Sequence, residues 1–377
     1  MRMSDVIYMP QAKWKLGERL AFKTAASANR IVPAFKIPPS GAFDTEEQRV
    51  LSPTEYLRRF GRQLADSRGR RLAFIDAELV DDDRHRKAVD VHPLTELLER
   101  ARLSGANAAP IFSRSSSAEY LAAVRRFVQR DSDAVICFRL GLQELEEVTT
   151  GMELVNYTTD LGTRPDRTVL LLDGGPLQIH DPEDLAHLIS VQMGRVIERD
   201  TWLRVFWSAT SFPEKPKMKA GSLEYFSRND WKLYEAILRM REEFAVVPMF
   251  SDYMLEFPSD YKPMKVSPTA KLSYSSEDHY IICKGRSTKF DQKYRNIFPV
   301  AAQLSSISEM KMADYSLGDG YIHRLSTGEG RTGHASMWRW CSTDHHLALI
   351  DEQLTKALGV SREAAAPFVP AEQLQLV

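Results

Sequence analysis

Cysteine is scarce. Cys137, Cys283 and Cys341 are the three in 377 residues, an odd number with no CxxC spacing, which argues against a disulfide framework or a thiolate zinc site. Long apolar runs are missing too. No stretch approaches the roughly 20 residues that a membrane span requires, and the opening MRMSDVIYMPQAKWK lacks a signal-peptide core. The expectation is a cytoplasmic protein that does not enter a membrane. Charge of a single sign is absent as well: 50 basic residues stand against 51 acidic ones, for a formal net charge of −1. That excludes a uniformly basic nucleic-acid coat but leaves room for a local basic patch. No GxGxxG follows the first strand, and GxxxxGK(S/T), GxSxG and HExxH do not occur. Dinucleotide, P-loop, serine-hydrolase and zincin readings therefore lack their mechanical signatures.

What is present is rhythm. Short apolar runs at residues 7–15, 31–38, 71–79, 107–114, 134–140, 168–174, 203–208 and 244–252 alternate with helical patterns. The runs are rich in Val, Ile, Leu and Phe on both phases, as parallel strands covered on both faces should be. Eight such units predict an α/β fold, a closed (β/α)8 TIM-like barrel. Helix starts are readable at Ser52-Pro53-Thr54-Glu55, at Ser117 and at Asp181-Pro182.

After Asp252 the rhythm stops. Runs 271–274 and 280–284, joined by Ser275-Ser276-Glu277-Asp278, read as a β-hairpin. A helix-compatible stretch, 300–312, and a Gly-rich stretch, 317–334, follow. A final helix is expected from near Thr343 to Gly359. The predicted organisation is barrel strands one to eight with helices one to seven over 1–253. An enlarged loop after strand eight, carrying the hairpin on the strand C-terminal face, takes 254–341. The last barrel helix and a tail take 342–377.

Charged residues fall at the strand ends. Asp76 and Glu78 share a face because side chains alternate along a strand. Arg139 ends the fifth run, Asp173 the sixth and Asp252 the eighth, while Lys13 and Lys15 lie in phase on the first and Lys36 on the second. In a barrel these ends surround the functional face. Carboxylates and cations crowded there perturb one another's ionisation, which suits acid–base catalysis or a divalent-metal site. Asp173-Gly174-Gly175 resembles a phosphate-cradling turn, with a plain strand-ending turn as the simpler reading. Asp81-Asp82-Asp83-Arg84-His85-Arg86 reads as a solvated loop.

A second concentration lies near the C-terminus. Asp319 stands between Gly318 and Gly320, followed by His323, and Trp338-Arg339-Trp340 leads to His345-His346. With Ser342 or Thr343 as cap, both histidines would fall in the first turn of the last helix, where the dipole favours a neutral imidazole and a bound anion. Adjacent helical side chains diverge by about 100°, so one of the pair would act and the other would pack. The candidate catalytic set is Asp76, Asp173, Asp319, His323, His345 and His346. Lys13, Lys15, Arg139, Trp338 and Arg339 are the candidate substrate-binding residues. The metal, if one is used, is not specified; a divalent ion is the option these groups suit.

These motifs, in order, resemble the beta family of phage and bacterial proteins. Tyr8-Met9-Pro10-Gln11-Ala12-Lys13-Trp14-Lys15-Leu16-Gly17-Glu18 is similar to that family's opening YxPxxKxKxGE, and Pro33-Ala34-Phe35-Lys36-Ile37-Pro38-Pro39 to its PLIEIP segment. Asp76 and Arg139 sit where its third and fifth strands end. Tyr274 with Gly285-Arg286 resembles its RYT…RG hairpin. Ser316–Ile322 resembles its SxGDxYI, and Trp338-Arg339 with His345-His346 its WRxxxxxHH. Lys36 replaces an acidic residue, and Leu272-Ser273-Tyr274 lacks the arginine of RYT. The resemblance implies a cytosolic protein of phage, mobile or anti-phage defence loci and implies no particular activity.

Two function classes fit. One is a hydrolase acting on a phosphate-bearing or nucleotide-like substrate by acid–base or metal-assisted chemistry. The other is a recognition module in which 254–341 binds a nucleic acid, or a protein partner in a defence complex. Its aromatic-and-basic stretch 280–294 and Trp338-Arg339-Trp340 would supply stacking and cation–π contacts.

Overall fold

The computed structural model describes residues 3–26, 29–41, 43–44, 49–131, 133–177, 181–258, 268–290 and 292–361. Parts of the insertion (259–267 and 291) and the tail 362–377 lie outside the described residues. Eight strands close into a barrel: Tyr8–Lys13, Ala34–Lys36, Ala73–Asp76, Ala108–Phe112, Ile136–Gly141, Thr168–Pro176, Arg204–Thr210 and Met249–Asp252. Each pairs in parallel with its sequence neighbour, and the eighth returns to the first through Tyr8↔Phe250 and Pro10↔Asp252. The expected (β/α)8 barrel is what forms. Ser52 caps Pro53–Arg68 in a reciprocal box with Glu55, and Ser117 and Asp181 cap Ala118–Arg130 and Pro182–Val196. Among the described residues, no helix is long and apolar enough to cross a membrane.

The elaboration differs from expectation in three ways. First, it draws on two loops. Ser222–Ser227, after strand seven, joins the hairpin strands Thr269–Ser275 and His279–Ser287 in one antiparallel sheet. Second, Ser316 caps a helix, Leu317–Ser326, through the Gly-rich stretch. Third, the last helix runs Ala335–Leu358 and opens at the N-cap His334, not near Thr343. Ser342 and Thr343 therefore cap nothing, and the two histidines lie mid-helix, beyond the reach of the N-terminal dipole. Their surroundings must be explained otherwise.

Both histidines are fully buried. Because they diverge around the helix, each reaches a different element. His346 Nε2 lies 2.9 Å from Asp252 Oδ2, and its Nδ1 lies 2.7 Å from Ser275 Oγ. Asp252 Oδ1 also accepts from Tyr8 Oη at 2.5 Å and from the Met254 N–H at 3.0 Å. His345 Nδ1 lies 2.8 Å from Asp319 Oδ2, and its Nε2 lies 2.8 Å from the Ser275 carbonyl. Both ring nitrogens of His345 are thereby engaged. That ring stacks on Tyr274 at 3.7 Å, and the Tyr274 hydroxyl donates to Asp319 Oδ1 at 2.8 Å. One dipeptide thus ties the barrel wall, the hairpin and the insertion helix to the last helix.

Close approach completes this packing. A Cβ on Gly318 would sit 2.2 Å from the Cys341 carbonyl oxygen, and one on Gly17 would sit 2.7 Å from the Ser336 carbonyl oxygen. Gly318→Ala is expected to destabilise by about 1–3 kcal/mol, through overpacking between two helices, as read from urea denaturation; an unchanged midpoint would show that the helices separate freely. His346→Ala leaves the Asp252 carboxylate buried with its imidazole removed, and should cost about 3–5 kcal/mol. Adding Asp252→Ala should then cost less than the sum of the single losses; strict additivity would show that the two do not interact. Burial pushes the Asp252 carboxyl up, but His346 outweighs it and the net shift is downward. The pair's contribution is therefore fully present above the unfolded carboxylate value of about 3.9 and is lost as pH falls through the lower folded value.

Candidate functional site

The inward phase of the barrel changes character along its axis. Its lower part is filled by Met9, Ala34, Phe74, Ala109, Ile111, Cys137, Val169, Leu171 and Phe206. Two residues further along each strand, the same period-two phase reaches Gln11 and then Lys13, Lys36, Asp76, Ser113, Arg139, Asp173 and Ser208. The apolar core gives way to a polar upper layer at the C-terminal ends, the face on which barrels place their chemistry.

Arg139 organises that layer. Its Nη1 lies 2.6 Å from Asp76 Oδ2 and its Nη2 lies 2.6 Å from Glu78 Oε2. Glu78 Oε1 accepts from the Ser113 and Ser116 hydroxyls, both at 2.8 Å. Burial pushes the Asp76 carboxyl up, but Arg139 and then Lys36 outweigh burial and hold it below the usual range. The converse holds for Arg139: burial opposes its charge, and Asp76 and Glu78 more than restore it. Across the mouth, the Tyr253 hydroxyl lies 2.6 Å from each oxygen of the partly exposed Asp173. Burial, and next the Asp173 charge, push the Tyr253 phenol well up, so it is a neutral donor that fixes the orientation of Asp173. Gln11 Nε2 donates to Ser208 Oγ at 2.7 Å.

The rim between strands one and eight leads outward. Lys13 Nζ is 2.6 Å from Glu256 Oε1, and Glu256 Oε2 is 3.9 Å from Arg339 Nη2. Burial opposes the Glu256 charge, yet Arg339, Lys15 and Lys13 bring its pKa down to about 2. Beyond this wall lies a cavity of about 280 Å³ lined by Lys15, Glu18, Lys271, Ser336, Arg339 and Ser342, among others. Two larger clefts, of about 490 and 600 Å³, open at the opposite pole, around Leu203–Met249 and Leu72–Val135 residues. That pole carries barrel stability rather than chemistry, so position decides here, not size.

The structure brings Lys13, Asp76, Arg139 and Asp173 to the mouth, and Lys15, Trp338 and Arg339 to the adjoining cavity. Trp338 is itself buried, with its Nε1 donating to the Thr332 carbonyl at 2.8 Å. Asp319, His345 and His346 lie in the buried clasp, and His323 Nε2 contacts the Lys311 carbonyl at 2.9 Å; none of these four joins the mouth network. Asp173-Gly174-Gly175 does not end its strand: it makes a local turn in it, with the Gly175 N–H donating to Asp173 Oδ1 at 3.1 Å and Gly175 at positive φ. It lies within strand six, where the pairing slips between Asp173 and Pro176, and Gly174 lets the Trp207 ring approach. Nor is 81–86 a solvated loop. His85 is buried and accepts from the Ser40 N–H, and Asp81 holds His92 and Arg86. The aromatic candidates Tyr280 and Trp340 are buried as well.

Sequence reasoning missed Gln11, Ser113, Ser208, Tyr253, Glu256, Lys271 and Glu18. Continuing each strand's inward phase by two residues finds Gln11, Ser113 and Ser208. Glu18 closes the opening motif, whereas Tyr253, Glu256 and Lys271 carry no local signal, because a loop or a distant element brings them in. Among the described residues, no group of three or more His, Cys, Asp or Glu could hold a metal ion. Arg139 bridges Asp76 and Glu78 where a cation would compete.

Nine chains of solved structures match this one. One is 2,3-dimethylmalate lyase, a PEP mutase/isocitrate lyase superfamily member, at 14% identity and a TM-score of 0.35, covering 66% of this chain and 76% of that one. No curated protein matches significantly. The family model described as Beta protein matches residues 8–350. On that span, with the closed barrel it encloses, the chain belongs to the Beta protein family.

Proposed function

We propose that this barrel is an enzyme whose chemistry takes place in the polar upper layer, acting on a phosphate-bearing small molecule by acid–base catalysis. One observation carries the reading: the inward phase of successive strands switches from apolar to ionised or hydrogen-bonding side chains at the C-terminal mouth. Asp173 is the proton acceptor. It is partly exposed, and the Tyr253 hydroxyl holds it in one orientation. Arg139 has donors beyond the two committed to Asp76 and Glu78, and these meet the anionic portion of the substrate together with Lys13. Asp76 and Glu78 are positioning residues, since they act through the Arg139 guanidinium. His345, His346 and Asp319 hold the roof beside the mouth. Acid–base rather than metal-assisted hydrolysis is favoured, because the carboxylates are already engaged by Arg139 and Tyr253.

The test is turnover of a panel of phosphomonoesters, nucleotides and phosphate-bearing carbonyl compounds, followed by phosphorus NMR. The wild-type chain should consume at least one member. Asp173→Asn should lose about a hundredfold or more of that rate while its Tm stays within about 4 °C. Equal rates for the two proteins, or no consumption of any member by the wild type, would reject the proposal.

A further inference from the structure

The cavity beside the mouth has the composition of an anion site, and nothing in the mouth chemistry accounts for it. Three elements far apart in the chain each contribute a cation to its lining: Lys15 follows strand one, Lys271 lies on the hairpin and Arg339 lies on the last helix. Ala335 and Ser336, at the start of that 24-residue helix, also face it. The helix N-terminus carries partial positive charge, and its N-cap, His334, makes no side-chain capping bond.

Two buried side chains on the lining have polar atoms without hydrogen-bond partners. The Ser342 hydroxyl is one, on a residue that is 3% exposed. The Glu18 carboxyl is the other: its residue is 1% exposed, neither oxygen has a hydrogen-bond partner among the described residues, and Arg339 Nε lies 3.5 Å away, with Lys15 also acting on its charge. Buried polar groups are ordinarily satisfied, so a pair of orphans on one wall calls for a partner inside. Burial raises the Glu18 pKa, with Arg339 opposing, and in its protonated form the carboxyl is a donor. Lys271 is pushed down to about 8, first by desolvation of its ammonium and then by Arg339, although the residue as a whole is exposed. A bound anion would relieve the Lys271 shift by favouring its ammonium, and would keep the Glu18 carboxyl in its protonated, donating form.

We infer that this cavity binds a phosphate group, held by Lys15, Lys271 and Arg339 with hydrogen bonds from Ser342, Ser336 and the first turn of the last helix. A tetrahedral dianion fits such convergent donors, and about 280 Å³ accommodates it. The shared wall Lys13–Glu256–Arg339 sets the site against the mouth. The phosphate there would anchor a substrate whose reactive end reaches Asp173. That role as anchor rests on the mouth being the catalytic centre, but the affinity for phosphate does not.

The experiment titrates inorganic phosphate into the full chain by calorimetry. Three proteins are compared: wild type, Lys271→Ala and Asp173→Asn. Lys271 is exposed enough for its replacement to leave the fold intact, which circular dichroism would verify. Phosphate should bind the wild type and Asp173→Asn alike, and bind Lys271→Ala about tenfold more weakly, the loss expected for one charge-assisted contact. Equal affinity in wild type and Lys271→Ala, or no heat at millimolar phosphate, would overturn the site. Weakening confined to Asp173→Asn would move the anion into the mouth and also overturn it. Loss of turnover in Asp173→Asn, with phosphate binding unaltered, supports the two sites as separate. Phosphate binding without any turnover retains the cavity and removes the mouth assignment.

Discussion

Two adjacent histidines on one helix cannot face the same way, and much of this molecule follows from that divergence. The helix geometry that sends His346 to Asp252 on the barrel wall sends His345 to Asp319 in the insertion. Ser275 serves both, with its hydroxyl toward one ring and its carbonyl toward the other. The rotation and height of the last helix are thereby set against strand eight, the hairpin and Leu317–Ser326 together. Arg339 lies nearly two turns earlier on that same helix, so its placement at the rim is inherited from the clasp. The cavity beside the mouth is a consequence of how the roof is pinned.

The charged upper layer poses a different energetic question. Burying ions costs several kcal/mol each before their attraction is counted, and well-packed apolar residues often do as well for stability. A barrel selected only to fold could have continued its apolar layers upward from Phe74, Cys137 and Leu171. Instead the chain keeps Asp76 almost fully buried against Arg139, sets Glu78 on the same guanidinium, and fixes Glu78 with two serine hydroxyls. A group held this rigidly is pre-organised, which is what a site requires of its first contacts with substrate.

Period-two alternation made the strand ends readable. Lys13, Asp76, Arg139 and Asp173 all arrived at the mouth because strand phase alone determines whether a side chain faces the barrel axis. The same reasoning, carried through every strand, reaches Gln11, Ser113 and Ser208. It fails for Tyr253 and Glu256, which follow the last strand, and for Lys271, which a hairpin delivers. It also misjudged the last helix. Ala335-Ser336-Met337 carries no strong cap signal, whereas Ser342-Thr343-Asp344 imitates one, and tertiary packing against Gly17 and Gly318 overrode the local cue.

The amino-acid order alone therefore determined the eightfold repeat, its closure and the inward phase of each strand, since these depend on short-range periodicity and on the sterics of parallel βα units. Only the tertiary structure decided which charged groups meet. Whether a histidine is a base or a buried strut, and whether a lysine is solvated or lines a cavity, depends on residues far away in the chain. Desolvation and ion pairing act through space, and sequence spacing does not record that distance.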